Sequence, residues 1–101
     1  MNAVTRLIDR VEKEGSPFVA SLLEVDGDKA AKEILDIFSK YNSADVIIGL
    51  CVATGIFLSK CQDGGDPEIT TNDRLRLIAT ISRVVAHDTA SARKDINGRP
   101  T

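Results

Sequence analysis

Val46-Ile47-Ile48-Gly49-Leu50-Cys51-Val52-Ala53-Thr54-Gly55-Ile56-Phe57-Leu58 is the stretch whose reading decides the fold. It holds no charge, and Thr54 is its one hydroxyl side chain. Strands average about 5–6 residues, so the run is too long for one buried strand and reads as a helix. Asn42-Ser43 breaks the pattern before it and supplies a cap, which places the helix from Ala44 to about Cys61. Asp45 and Lys60 close its apolar part at the two ends.

On a helical wheel this segment has no polar side, and a helix that is apolar all round has to be covered all round. The rest of the chain offers few neighbours. The helix is therefore either the central rod of a bundle or packs in part against a second copy of the chain. Gly49 and Ala53 are four residues apart, as are Cys51 and Gly55. Each glycine costs roughly 1 kcal/mol of helix propensity against alanine, so a packing reason is expected. Either the small residues relieve crowding inside the chain, or Gly49, Ala53 and Ile56 form the seam of a homodimer. Taken as a helix, the run from Val46 to Leu58 reaches roughly 20 Å, short of the roughly 30 Å of a bilayer's hydrocarbon core, so no membrane span is expected.

Outward from this segment, four more helices are legible. Val4, Leu7, Ile8 and Val11 recur with helical spacing, Asn2 can cap that helix, and Gly15 fits the position after its end. Ser16-Pro17 restarts a short helix to about Val25, burying Phe18 and Leu22. Asp26-Gly27-Asp28 reads as a turn with Asp28 capping a third helix, Lys29 to about Tyr41, whose core face is Ala31, Ile34, Leu35, Phe38 and Tyr41. Gln62 to Pro67 is the strongest breaker. A last helix starts after Thr70 or Thr71 and fades near Lys94, with Leu75, Ile78, Ala79, Ser82, Val85, Ala86 and Thr89 on one face. No strictly alternating segment is present. The expectation is an all-α fold: a small bundle of about five helices with one central, fully apolar helix, a single domain over 1–95 and a frayed tail over 96–101.

The 101 residues, 43% hydrophobic and 28% charged, suit one modest core rather than disorder. A compact chain of 10.9 kDa exposes roughly 5,600 Å². Two cysteines and one histidine cannot build the usual four-ligand zinc site without two carboxylates, and no other cofactor is implied. Cys51 reads as a small buried apolar residue, and no disulfide between it and Cys61 is possible along one helix. Residues 1–14 are rich in charge and hold no signal-like apolar segment, so a reducing cytoplasm is the expected setting.

Catalytic patterns fail on spacing. Glu24 to Asp28 lacks the glycine and the bidentate glutamate of a calcium loop. Asp63, Asp66 and Glu68 read as a solvated acidic loop. His87, Asp88 and Ser91 lack the geometry of a triad, because neighbours on a helix point roughly 100° apart. No phosphate-cradling glycine motif is present. The chain is expected not to be an enzyme.

One polar pattern remains. Arg76, Thr80, Arg83, His87 and Lys94 lie within about 60° on the wheel of the last helix. Residues 71–101 carry six Lys/Arg and three Asp/Glu, a net +3, against −5 for residues 1–70, which carry seven and twelve. These residues are either an ordinary solvated helix face or a surface for an acidic protein partner. Nucleic acid is the alternative, disfavoured by few cations, no aromatic in the stripe and a net charge of −2. The sequence thus points to a small non-enzymatic helical protein that self-associates and binds another protein as adaptor or regulator. A nucleic-acid-associated regulator is the runner-up.

Overall fold

The computed structural model describes residues 2–61 and 68–97, with side chains in the last helix as far as Ser91. Five helices follow one another: α1 (Ala3–Glu14), α2 (Ser16–Leu22), α3 (Val25–Phe38), α4 (Ser43–Lys60) and α5 (Thr71–Asn97). No strand occurs among the described residues, so the chain is all-α. The Gln62–Pro67 breaker, with Asp63 and Asp66, lies outside the described residues, as do residues 98–101 of the expected tail.

The helix ends follow local chemistry. The Asn2 side chain accepts from the Thr5 amide at 2.9 Å and closes the start of α1. Gly15, at φ +75°, ends it in a conformation that a side chain would strain, and its amide donates to the Val11 carbonyl. Asn42 repeats the Asn2 device on α4, accepting from the Asp45 amide at 2.9 Å. At the start of α5, Thr70 Oγ1 accepts from the Asp73 amide at 3.1 Å while Asp73 accepts from the Thr70 amide at 3.0 Å, a reciprocal capping box.

The expected turn at Asp26-Gly27-Asp28 is not there. Those residues form the first turn of α3, which begins at Val25, and Asp28 pairs with Lys32 at 2.8 Å rather than capping. Asp26 and Asp28 oppose the helix dipole there, which offsets the cost of a glycine in the first turn.

The chain divides into two compact units, one containing α1, α2 and α5, the other α3 and α4. In the first unit α1 lies along α5, and α2 touches both. Asn2 donates to Asp73 at 3.1 Å, Glu12 meets Arg83 at 3.8 Å, and the Ser16 amide donates to Asp88 at 3.1 Å. The offset between these partners is 71 or 72 residues throughout, so α1 and α5 run parallel in one register. Ile8 and Val11 of α1 and Thr80 of α5 are buried in this unit, and Thr80 meets its own hydroxyl need by donating to the Arg76 carbonyl at 2.7 Å. Arg10 lies over the Phe18 ring at 4.1 Å, holding α2 to α1.

The buried side of α5 is therefore the arc of Leu77, Thr80, Ile81, Val84 and Asp88. The expected face is the other one: Leu75, Ile78 and Val85 are exposed, together with Ala79, Ser82, Ala86 and Thr89. α5 carries two apolar arcs, and the hydrogen bonds at Asp73 and Asp88 turn the second toward α1.

The second unit has only two helices, joined through residues 39–42. Two helices cannot surround one that is apolar on every side. Ile47, Ile48, Val52, Ile56 and Phe57 of α4 are each more than half exposed, and only Leu58 is buried. The apolar helix is thus present as expected, but its burial within the chain is not. Cys51, expected to be buried, is exposed for the same reason. So are Ile34, Leu35 and Tyr41 on α3.

Candidate functional site

α3 and α4 stand apart at the backbone, without the close packing of α1 on α5. Between them lies a groove of about 660 Å³. It is lined by Ile34, Ile37, Phe38 and Tyr41 from α3 and by Asp45, Val46, Gly49, Leu50 and Ala53 from α4. Apolar spacing on α3 brings four of these side chains to one face, and the short link after Phe38 turns α4 back toward that face.

The glycines of α4 explain its shape. A Cβ at Gly49 would meet nothing within 4 Å, and neither would one at Gly55. They relieve no crowding inside this chain, so that alternative for the small residues is set aside. Gly49 and Ala53 instead leave room where another helix could come close. Ile56 lies on the same side of α4, 53% exposed. The three residues expected to mediate self-association are thus all exposed on one side of α4.

The basic stripe of α5 is not assembled in the same way. Thr80 is buried and cannot meet a partner. Arg83 extends to Glu12, leaving part of its charge answered within the chain. Arg76 and His87 are exposed. The side chain of Lys94 lies outside the described residues. Arg76, Thr80, Arg83 and His87 share one arc of α5, and that arc includes the edge that α1 covers.

A second hollow, of about 360 Å³, lies beside the α1–α2 junction and is lined by Glu12, Gly15, Arg83, Val84, His87 and Asp88. His87 Nδ1 comes within 3.6 Å of Asp88 Oδ1, too long for a hydrogen bond, with His87 exposed and Asp88 half-buried. The nearby Ser16 hydroxyl and the Ser16 amide, which donates at 3.1 Å, hold the Asp88 carboxyl below the ordinary carboxylate range. Asp88 is therefore engaged in fixing the start of α2. It does not orient His87 as a base. No cluster of three metal-ligating side chains occurs among the described residues.

Ile34, Phe38 and Tyr41, which helical spacing alone directs to a core, instead line the α3–α4 groove. The short 39–42 link is the signal that could have found them, since it makes α3 and α4 neighbours. No protein-family model, no curated protein and no solved structure matches the chain.

Proposed function

We propose that this protein is a small non-enzymatic helical module that self-associates through α4 and acts by binding other protein. The observation that carries the proposal is the open apolar groove between α3 and α4, continuous with a helix that the chain itself leaves exposed. Soluble monomers rarely expose contiguous apolar patches beyond a few hundred Å², and larger ones mark interaction surfaces. A standard interface removes roughly 800 Å² from each partner. Two-fold pairing is the commonest arrangement that buries such a surface.

A bilayer is the other medium that could cover α4, and Ser43–Lys60 is long and apolar enough to cross one by length and composition. The stretch between Asp45 and Lys60 spans about 21 Å, however, against roughly 30 Å of hydrocarbon. Both cysteines are free, which suits a reducing, cytoplasmic setting.

Light scattering at micromolar concentration tests the reading. The expected mass is about twice 10.9 kDa, with a melting temperature that rises with concentration. A mass of one chain and a concentration-independent melt would refute it, and sedimentation with phosphatidylcholine vesicles would move the occupant of α4 from protein to lipid.

A further inference from the structure

We infer that the occupant of the α3–α4 groove is α4 of a second copy, laid antiparallel in a single register in which paired residue numbers sum to 105. The inference rests on the self-association proposed above and adds its orientation. Asp45, Gly49, Val52, Ala53, Ile56 and Lys60 fall within about 100° of one another on α4 at 3.6 residues per turn. All six are exposed. An acid at one end of this face and a base at the other make it self-complementary in one direction only. Antiparallel, Asp45 meets the partner's Lys60 and Lys60 meets the partner's Asp45. Parallel, like charges would meet at both ends. Neither Asp45 nor Lys60 has an ion-pair partner among the described residues; the Asp45 carboxylate accepts from the Asn42 side chain at 2.7 Å, a neutral donor that leaves its charge unanswered.

The same register matches shape. Gly49, with open space where a Cβ would stand, receives the partner's Ile56, and Ile56 enters the partner's Gly49. Val52 and Ala53 cross at the two-fold axis. A closed two-fold interface requires this reciprocity, residue i on j and j on i. The groove residues Ile37, Phe38 and Tyr41 then cover the flank of the incoming helix. The helix dipoles of an antiparallel pair also oppose each other favourably.

Cysteine trapping in the full chain, with Cys51→Ala and Cys61→Ala, tests the register. Gly49→Cys with Ile56→Cys should give a covalent dimer under mild oxidation, because those positions face each other across the seam. Either substitution alone should give none, since each position then lies about 10 Å along the axis from its own copy, beyond the roughly 7 Å that a disulfide tolerates. Cross-linking by the single variants would establish a parallel pair and overturn the inference. A dimer by light scattering with no cross-link in any variant would place the seam elsewhere and overturn it too, while leaving self-association standing. A monomer by light scattering would remove both.

Charge exchange gives a second readout free of the new thiols. At low salt Lys60→Asp should weaken association severalfold, and Asp45→Lys added to it should restore a part of the loss. No change with Lys60→Asp is the parallel result and overturns the register.

Discussion

Replacing Gly49 with leucine acts on two equilibria with opposite signs. The first is the folding of the helix itself. Glycine in a helix interior is about 0.8–1.0 kcal/mol worse than alanine, and leucine is close to alanine, so the exchange favours α4 by about 0.8 kcal/mol. No clash offsets this gain, because a Cβ at Gly49 meets nothing within 4 Å. The second equilibrium is association. If a second helix seats on Gly49, the leucine occupies the space that the seam needs, and overpacking a close contact costs about 1–3 kcal/mol. The dissociation constant should then rise about 5- to 150-fold. The gain in helix propensity is common to free and paired chains and cancels from that ratio. Gly55 provides the internal control. It is equally open, but sits about 110° round α4 from the middle of the seam. Gly55→Ala should stabilise the helix by about 1 kcal/mol and leave association unchanged. Urea denaturation at high dilution reads the first effect, and sedimentation equilibrium the second. Identical association for Gly49→Leu and the unaltered chain, or identical behaviour of the two glycine variants, would refute the assignment of this face.

Three further outcomes are expected. Ile8→Ala should cost about 2–5 kcal/mol in chemical denaturation, because Ile8 is 2% exposed, whereas Ile47→Ala, at a site 59% exposed, should stay within about 0.5 kcal/mol in the dilute monomer. Asn42→Ala removes the acceptor for the Asp45 amide and should lower stability by about 1 kcal/mol, read as lost helical circular dichroism near the midpoint. Asp88→Asn should lower the melting temperature at pH 7 and have no effect in strong acid. The folded carboxyl lies below its unfolded range, so its contribution is present above the unfolded pKa and is lost as the pH falls through the folded one; a constant difference across that range would contradict the role given to Ser16.

Much of the fold was legible because single residues announce helix ends. Asn2, Gly15, Asn42 and Thr70 each sit where capping chemistry requires them, and α1, α4 and α5 begin where the sequence places them. The Asp26-Gly27-Asp28 segment misled because glycine between acids suits both a turn and an acidic first helical turn. The orientation of α5 was not readable from its period. Leu75, Ile78 and Val85 compete with Leu77, Ile81 and Val84, and only the tertiary bonds to Asp73 and Asp88 decide between the arcs. For the candidate site, Gly49, Ala53 and Ile56 were visible as small and apolar residues at helical spacing. The groove was not, because a wheel for one helix cannot tell whether a neighbour closes over it or stands apart.

The parallel register of α1 and α5 has a consequence for the order of folding. Its contacts join residues 71 or 72 positions apart, and such long-range contacts form late because the loop between them must close first. α1 has 12 residues and α2 has 7, lengths at which isolated helices in water are marginal. Both must therefore wait, during synthesis, until α5 has left the ribosome. α3 and α4 are neighbours in sequence, joined through residues 39–42, so bringing them together closes only a short loop and can precede the α1–α5 contacts.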